Sequence, residues 1–430
     1  ELPGFYYDSE KNRYFRLLPG HNNFNPLTKE SLQYKAMECK RLRLLQEEEN
    51  QIKKTTRAGV NSSVLLQKRQ LGLLSSTSYC RLVHELKVNY MQRKKIEIHS
   101  PDSSVAGTNN FKIIVVCNVA CERIFTVNNV EHGGCKYGII NLTGLGKESL
   151  TVEMYDNLYF TNRKVLFLLP LVVLGRYSKL CLMGIAETPG CASLLPASLF
   201  SNTNPGDRPG MLCSFKISTA WSCAWCLNPQ ADNCFSTGLT RRVLVTNVVT
   251  GHRQTFGTNS DVLAQQFATQ TPMLYNGCRS GEIFSIDVRQ RSWKGQSWKA
   301  IRLFHDSAVT SIRLLEAEYY LMAADMAGKI KLWDLRTAKC VKQYKGHHNE
   351  YAVLPLHVNE EEGLVTAVGQ DCYTRIWSLQ DAHLLRTIPS PHPASKDAIP
   401  SVVFSSRLGG SRGVPGLLMA VKQDLYHFSY

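Results

Sequence analysis

The chain has 430 residues, of which 43% are hydrophobic and 20% are charged, and this balance excludes a largely disordered protein. Its longest apolar run, residues 165–175, contains a proline and is shorter than the roughly 18 residues that a membrane-spanning helix needs. The 14 scattered cysteines, without a signal-peptide pattern, predict reduced thiols in the nucleus or cytoplasm. The net charge of +15 indicates an acidic partner, either a protein or a nucleic acid.

The first quarter of the chain predicts a hairpin and several helices. In residues 1–26, two aromatic runs flank a polar turn, which is typical of a short hairpin. Residues 27–99 are predicted to form a helical extension, with a mostly charged first helix expected as an exposed arm and two further helices over 62–72 and 77–95. The composition of residues 100–110 indicates a linker, so the sequence predicts a domain boundary there.

From residue 111 onward, short alternating or apolar runs separated by turn residues replace the helical pattern. Four of these runs share an anchor position that recurs at intervals of 40, 47 and 44 residues: Thr246, Ile286, Trp333 and Trp377. Such periods are typical of a four-stranded propeller blade. The sequence therefore predicts an all-β fold, a β-propeller over residues 111–430 with seven blades (range six to eight), closed by its C-terminal strand. Residues 165–175 fit no strand pattern of a blade, so the sequence does not assign the strands of the second blade.

These repeats resemble those of WD-repeat propellers, most strongly over residues 234–388. The resemblance implies that a histidine, an aspartate and a tryptophan share buried hydrogen bonds in a blade. The blade around Trp333 departs from the pattern because Ala327 replaces the turn aspartate, so we expect this blade to depend more on apolar packing. The residues that match the structural WD pattern are His305, Trp333, His347, Asp371 and Trp377.

Two adjacent repeats end in a further motif. Residues 321–336 (LMAADMAGKIKLWDLR) and 274–289 (LYNGCRSGEIFSIDVR) resemble the WDxR box of cullin-four-associated substrate receptors, although the second departs at Cys278 and Ile286. The resemblance implies an adaptor-binding face, because arginine makes planar, bidentate contacts with carboxylates. The alternative is that each arginine only pairs within its own blade. The charged box residues are Asp287, Arg289, Asp334 and Arg336.

Residues 63–74 (SVLLQKRQLGLL) place apolar side chains near one helical face, with basic side chains beside them. This pattern resembles the helix-loop-helix by which such receptors enter a pocket of their adaptor, itself a triple propeller. The alternative is a helix that caps the chain's own propeller. Together with the aromatic hairpin, the layout is similar to the cullin-four-associated factor four group and its "-like" members. The residues predicted to contact the adaptor here are Leu65, Leu66, Arg69 and Leu71.

The resemblance implies a non-catalytic substrate receptor of a cullin-four RING E3 ubiquitin ligase. Such a receptor docks on the triple-propeller adaptor, reaches cullin-four through it, and presents a protein substrate for ubiquitination. A second hypothesis is a scaffold of an RNA-associated complex in splicing or ribosome assembly, supported by the basic charge. A third is a relative that binds the adaptor but no substrate. We expect no membrane partner, and we rank nucleic acid below protein as a partner.

No motif in the chain predicts catalysis, a cofactor or a metal site. Cys223 and Cys226 form the closest cysteine pair, but a structural zinc site usually needs a second close pair. A redox pair would need a strand-to-helix context, which the surrounding strand pattern does not provide. We therefore predict that these cysteines pack within the fold and hold no metal.

Overall fold

A computed structural model describes residues 5–8, 12–16, 29–53, 62–99, 110–116, 123–129, 135–142, 145, 151–161, 180–183, 191–195, 213–231, 233–290, 299–395, 398–409 and 413–429. At the N-terminal end, β1 (Phe5–Asp8) and β2 (Arg13–Arg16) pair in an antiparallel hairpin. Three helices follow: α1 (Lys29–Lys53), α2 (Ser62–Gln70) and α3 (Ser76–Tyr90). None of the described helices has both the length and the apolar character needed to cross a membrane.

Strand β3 (Gln92–His99) follows α3, and the remaining strands group into blades. Blade 1 contains β4 (Asn110–Val116), β5 (Arg123–Asn129), β6 (Cys135–Asn141) and β7 (Thr151–Thr161). Blade 2 contains β8 (Leu180–Met183), β9 (Cys191–Leu195) and β10 (Cys213–Lys216). Blade 3 contains β11 (Ala220–Trp225), β12 (Cys234–Leu239), β13 (Arg242–Asn247) and β14 (Arg253–Gly257). Blade 4 contains β15 (Val262–Phe267), β16 (Met273–Cys278), β17 (Glu282–Asp287) and β18 (Lys299–Phe304). Blade 5 contains β19 (Val309–Leu314), β20 (Tyr320–Asp325), β21 (Ile330–Asp334) and β22 (Lys339–Tyr344). Blade 6 contains β23 (Leu356–Asn359), β24 (Leu364–Val368), β25 (Thr374–Ser378) and β26 (Leu384–Ile388). Blade 7 contains β27 (Ser401–Leu408), β28 (Val414–Val421), β29 (Asp424–Ser429) and β3.

Within each complete blade, neighbouring strands pair antiparallel, and the first strand of one blade lies beside the first strand of the next from blade 2 through blade 7 to blade 1. The first strands are therefore the innermost strands of the ring. This arrangement confirms the prediction of an all-β propeller with seven blades and an N-terminal helical extension. Blade 2, whose strands the sequence left unassigned, has three described strands, and residues 165–175 lie outside the described residues.

The ring closes where the two ends of the propeller share blade 7. Strand β29 pairs antiparallel with β3, and Leu425 lies opposite Ile96. The sequence interpretation placed residues 92–99 in the helical extension and began the propeller at residue 111, and the structure corrects both boundaries. The outermost strand of a blade has one solvent face, so the segment QRKKIEIH carries only a weak apolar signal and resembles the charged end of a helix.

Apolar side chains fill the space between neighbouring blades. One cluster joins blades 4 and 5 around Ile283, Leu321 and Trp333, and the next joins blades 5 and 6 around Leu332 and Trp377. Burying each such side chain stabilises the fold by about 1.5–3 kcal/mol. Because packing runs from blade to blade, it also fixes the relative positions of the turns at each end of the ring.

Candidate adaptor-binding face

The two WDxR boxes adopt the same local structure in blades 4 and 5. Strand β17 ends at Asp287 and β21 ends at Asp334. Each aspartate accepts a hydrogen bond from the backbone N–H of the arginine two residues later, at 3.0 Å for Arg289 and 2.9 Å for Arg336. An aspartate that bonds the backbone two residues ahead forms a tight turn, which is why each strand ends there.

The same carboxylates also hold the guanidinium groups. Arg289 donates to Asp287 at 2.8 and 3.1 Å, and Arg336 donates to Asp334 at 3.1 and 3.2 Å. The side-chain hydrogen bond from each arginine is the largest cause that holds the pKa of its aspartate below the usual value. The arginine side chains are nevertheless 58% and 60% exposed. Each arginine therefore pairs within its blade, as the alternative interpretation held, and still presents its charge at the surface.

Further contacts orient the two arginines. Arg336 lies over the rings of Tyr319 and Tyr320, with its guanidinium carbon 5.2 and 5.9 Å from the two ring centres. Arg289 Nη1 donates to Gln230 Oε1 at 3.3 Å. A pocket of about 650 Å³ opens beside Arg289 and is lined by both polar and apolar residues, among them His252 and Val245 of blade 3. The guanidinium groups are therefore held in place before a partner arrives.

The neighbouring blades lack the pair. In blade 3 the corresponding turn keeps an acceptor, because Asn247 accepts from the backbone N–H groups of Val249 and Thr250, but Val249 replaces the arginine. In blade 6 the corresponding residues are Ser378 and Gln380. Among blades 3 to 6, the exposed Asp–Arg pair is thus confined to blades 4 and 5.

The boxes lie on one face of the ring. In an antiparallel blade, the turn between the first two strands and the turn between the last two strands lie at the same end of the blade. In blade 5 these two turns are joined by a hydrogen bond, which the backbone N–H of Leu335 donates to Tyr319 O at 2.9 Å. Adjacent blades are linked at this end, since Glu318 accepts from the backbone N–H of Thr269 at 2.6 Å and Glu360 accepts from that of Glu316 at 2.7 Å. We call the face formed by these turns and the two boxes the box face.

Helix α3 is attached to the box face at blade 6. Lys87 Nζ lies 2.9 Å from Glu362 Oε2, in the turn between the first two strands of that blade. Glu85 Oε1 lies 3.5 Å from His383 Nε2, in the turn between its last two strands. The ring of His84 packs so closely that a Cβ atom added to Gly363 would lie 3.1 Å from it. Helix α3 thus lies at the same face as the boxes, on blade 6, and Val88 at its C-terminal end packs in the apolar cluster that joins blades 6 and 7.

Arg386 of β26 connects the propeller to two helices. Its Nη1 donates to the carbonyl oxygens of Val88 and Met91 at 2.8 and 2.9 Å, and its Nη2 donates to Glu48 of α1 at 2.9 Å. Helix α1 is also held by Arg41, which is buried and donates to Ser390 O at 2.9 Å. Most of the described side chains of this charged helix are exposed, as expected, but the helix is not a free arm, because Arg41 and Glu48 contact the propeller.

The apolar residues of the α2–α3 hairpin divide into two groups. Leu65 is 4% exposed, and α2 packs against α3, so this side chain belongs to the interior of the hairpin. Leu66 is exposed, and Leu71 and Leu73 in the connecting loop are 74% and 70% exposed. The sequence interpretation put Leu65 on the docking stripe and missed Leu73, which follows Gly72 and lies outside the helical periodicity that was used. The available apolar surface is formed by Leu66, Leu71 and Leu73.

Arg69, the fourth residue predicted in this hairpin, lies over the ring of Tyr79 with its guanidinium carbon 4.8 Å from the ring centre. Such a contact stabilises an exposed pair by about 0.5–1 kcal/mol. Arg69 therefore joins α2 to α3 while its side chain stays at the surface.

The structural WD residues form the expected buried set in blade 5. Trp333 Nε1 donates to His305 Nε2 at 3.0 Å, so the proton of the neutral ring lies on Nδ1, which is 3.2 Å from Asp325 Oδ2. Asp325 thus takes the role that the family pattern gives to the position of Ala327. The expectation that this blade depends on apolar packing instead of the polar set was wrong.

In blade 6 the predicted set does not form. His347 Nε2 donates to Val368 O at 3.1 Å, and Trp377 Nε1 donates to Lys345 O at 2.8 Å. Asp371 pairs with Arg375 instead of the histidine. The three residues therefore do not share the hydrogen bonds that the family resemblance implied for this blade.

No grouping of metal-ligating side chains occurs in the part of the chain that the structure describes. Cys223 and Cys226 are buried in blade 3 and contribute to two different apolar clusters. This is the packing role that the sequence predicted for them.

Comparison with known proteins identifies the family. Residues 79–430 match the family described as "DDB1- and CUL4-associated factor 4 beta-propeller domain". The chain is 68% identical to "DDB1- and CUL4-associated factor 4" of Homo sapiens over 433 aligned residues, covering 100% of this chain and 87% of that protein. It is 67% identical to the Bos taurus protein of the same name, with the same coverage, and 59% identical to "DDB1- and CUL4-associated factor 4-like protein 2" of Homo sapiens over 92% of this chain and 100% of that protein. The chain therefore belongs to the DDB1- and CUL4-associated factor 4 family.

Proposed function

We propose that this chain is a substrate receptor that docks on DDB1 and, through it, joins a CUL4 RING E3 ubiquitin ligase in the nucleus or cytoplasm. The names of its relatives give DDB1 and CUL4 as their associates. The observation that carries the proposal is the box face, where two preformed Asp–Arg pairs lie on the same side of the ring as the helical hairpin. The chain itself catalyses nothing in this proposal, and ubiquitin transfer belongs to other subunits.

The two halves of the surface suit one partner. Leu66, Leu71 and Leu73 offer an exposed apolar patch, and helix-in-groove binding uses patches of this kind. Arg289 and Arg336 offer oriented guanidinium groups for carboxylates or carbonyl oxygens. Because α3 is fixed to blade 6 and the boxes lie in blades 4 and 5, a rigid partner can contact both at once. The other end of the ring and its centre stay available for a substrate.

Co-precipitation of DDB1 with the full-length chain tests the proposal. Leu66→Asp introduces a charge into the apolar patch and should strongly reduce recovery of DDB1, because a charge buried without a partner is costly. A matched change at the opposite end of the ring, Val353→Asp, should leave recovery unchanged, since Val353 is exposed in the segment between β22 and β23 and lies outside both the box face and the hairpin. Unchanged recovery with Leu66→Asp would contradict the helical contact.

The boxes need a separate variant. Arg289→Ala combined with Arg336→Ala should also reduce DDB1 recovery, whereas Arg279→Ala should not, because Arg279 pairs with Asp261 at the opposite end of blade 4. Each box arginine helps to close its own turn, so the thermal unfolding temperature of the double variant must be measured alongside. Lost recovery with an unchanged unfolding temperature supports a direct contact. Full recovery in the double variant would exclude the boxes from the interface.

A further inference from the structure

Helix α3, which supports the α2–α3 hairpin, ends against a single side chain of blade 6. The last four carbonyl groups of a helix have no partner within the helix. At this end, the carbonyl oxygens of Val88 and Met91 accept hydrogen bonds from Arg386 Nη1 of β26, at 2.8 and 2.9 Å. The positive charge of a guanidinium at a helix C-terminus is also favourable for the helix dipole. Arg386 therefore caps α3 and joins its end to the propeller.

The guanidinium group of Arg386 is itself held in one orientation. Its side chain is only 11% exposed, and its Nη2 donates to Glu48 Oε1 of α1 at 2.9 Å. Glu48 Oε2 in turn lies 3.9 Å from Nη1 of Arg93, on the strand β3 that follows α3. A planar guanidinium that is hydrogen-bonded through both terminal nitrogens has one favourable orientation. The cap on α3 thus has a defined direction as well as a defined position.

The other contacts between α3 and the propeller fix the direction of the helix less strongly. Val88 lies in the apolar cluster that joins blades 6 and 7, and His84 packs against Gly363, but apolar burial is not directional. The two ion pairs that join α3 to blade 6 each include an exposed side chain, Lys87 in one and His383 in the other. Exposed ion pairs contribute little. The buried cap is therefore the contact that sets the angle of the helix.

The angle of α3 decides where the apolar patch of the hairpin lies. Leu71 and Leu73 belong to the loop that precedes α3, at the end of the helix far from the cap. The helix has 15 residues and is about 22 Å long. A rotation of about 10° at the capped end would move the patch by roughly 4 Å, which is far more than a hydrogen bond tolerates. A rigid partner can therefore contact the patch and the boxes together only at one angle of α3.

We infer that Arg386 is a positioning residue, which aligns the apolar patch of the hairpin with Arg289 and Arg336 of the box face for one partner. The inference rests on the proposed function, because alignment matters only if DDB1 contacts both surfaces. Arg386 is buried against α1 and α3, so it acts through the helices and not by touching the partner. Its contribution is preorganisation, since the hairpin is ordered before binding and the partner does not lose free energy in ordering it.

The affinity of the full-length chain for DDB1, measured by biolayer interferometry, tests this inference. Arg386→Gln removes the charge and the planar group that joins α3 to α1. It should weaken DDB1 binding by at least about tenfold, because the patch and the boxes no longer act together.

Arg375→Gln is the matched control. Arg375 lies on the neighbouring strand β25, its side chain is 12% exposed, and it pairs with Asp371 at the opposite end of the ring. The control should lower the unfolding temperature to a similar extent as Arg386→Gln and leave DDB1 affinity unchanged. Equal weakening of DDB1 binding in both variants would overturn the inference, because stability alone would then account for it.

A double-mutant cycle separates alignment from a direct effect on the hairpin. In a chain with Arg289→Ala and Arg336→Ala, the hairpin has no second contact with which it must be aligned. Arg386→Gln should therefore weaken the remaining DDB1 binding by less than about threefold in that background. An equally large loss in both backgrounds would contradict the inference. Arg386→Lys keeps the charge without the planar group and should recover part of the affinity that Arg386→Gln loses.

Amide hydrogen exchange of the chain alone tests the cap without DDB1. Arg386→Gln should accelerate exchange in α3 and leave exchange in blades 4 and 5 unchanged, because the cap holds only the helices. Normal DDB1 binding by the unaltered chain, together with unchanged affinity and unchanged α3 exchange in Arg386→Gln, would refute the positioning role alone. Absence of DDB1 binding by the unaltered chain would refute the proposed function, and the alignment for DDB1 with it.

Discussion

Blades 5 and 6 both contain a histidine, an aspartate and a tryptophan at similar spacing, but these side chains form different hydrogen bonds in the two blades. In blade 5, His305 is bonded on both ring nitrogens, by Trp333 on one side and Asp325 on the other. In blade 6, the histidine and the tryptophan each donate to a backbone carbonyl, and the aspartate pairs with an arginine. The apolar packing around both tryptophans is nevertheless similar, because both lie in clusters that span two blades.

The position eight residues before each tryptophan accounts for the difference. In blade 5 it is Asp325, whose Oδ1 also accepts from the backbone N–H of Lys329 at 2.8 Å and so closes the turn. In blade 6 it is Gly369, and a Cβ atom there would lie 2.3 Å from Asp371 Oδ1 and 2.8 Å from Arg375 Nη1. The ion pair of blade 6 thus occupies space that a side chain fills in blade 5. A repeat can therefore keep its fold while its polar contacts are exchanged.

The largest expected effect concerns what the two blades share. Trp377 is fully buried and Trp333 nearly so, and replacing either with alanine should reduce the free energy of unfolding by about 3–5 kcal/mol. Urea titration followed by circular dichroism measures this loss. Because the apolar clusters are alike, the two losses should be similar. A loss below about 1 kcal/mol for either variant would contradict its assignment as a blade anchor.

Asp325→Ala tests what the two blades do not share. The change removes hydrogen bonds to His305 and to the backbone of Lys329, and it leaves buried donors unpaired. We expect a loss of about 3 kcal/mol in the free energy of unfolding, measured by the same titration. Ser311→Ala on the neighbouring strand β19 is a suitable small-residue control, since it removes one hydrogen bond to the backbone of Leu356 and should cost about 1 kcal/mol. Equal losses in the two variants would mean that the hydrogen-bonded set of Asp325, His305 and Trp333 stabilises the fold no more than one ordinary hydrogen bond does.

A buried histidine without partners extends the comparison to blade 7. Neither ring nitrogen of His427 has a hydrogen-bond partner among the described residues, and burial and the charge of Lys94 lower its pKa to about 4. The folded pKa lies below the unfolded value of about 6.5, so this stabilising contribution is present above pH 6.5 and is lost as the pH falls towards 4. Between pH 7 and pH 5 the loss is roughly 2 kcal/mol.

Unfolding titrations of the unaltered chain and His427→Gln at pH 7 and pH 5 measure this contribution. The variant should lose less stability over the interval, because glutamine does not titrate. The difference between the two chains isolates His427 from the other groups that titrate in the same range. Identical pH dependence in both chains would mean that this histidine is not buried in its neutral form.

Gly369→Ala examines the exchange of contacts in blade 6. The added methyl group would press on Asp371 and Arg375, whose side chains must shift to relieve it. We expect a loss of about 1–2 kcal/mol in the free energy of unfolding, within the range for an overpacked site. Gly257→Ala is the control, because nothing lies within 4 Å of the position of its added Cβ atom. A loss no larger than that of the control would mean that the ion pair does not occupy the space.

The sequence predicted the architecture better than the individual contacts. Regular spacing of anchors such as Trp333 and Trp377 reflects the strand pattern of a blade, and this pattern survives many substitutions. Strand β3 escaped detection because an outer strand buries only one face. Leu65 was misplaced because helical periodicity identifies an apolar face but does not reveal which neighbour covers it. The partners of Asp325 and Asp371 depend on side-chain reach across a turn, which residue spacing alone does not determine.

The smallest expected effect is that of Ala327→Asp, which restores the aspartate of the family pattern to blade 5. Ala327 is exposed, and both ring nitrogens of His305 already have partners, so the new carboxylate gains no open buried donor. We expect a change of less than about 0.5 kcal/mol in the free energy of unfolding. In the Asp325→Ala background the same change should recover roughly 1 kcal/mol, because His305 then has a free N–H within reach of the turn. If Ala327→Asp alone raises the free energy of unfolding by more than about 1 kcal/mol, Asp325 does not satisfy the hydrogen bond of His305. If Ala327→Asp restores no stability in the Asp325→Ala background, an aspartate at position 327 cannot replace the one at position 325.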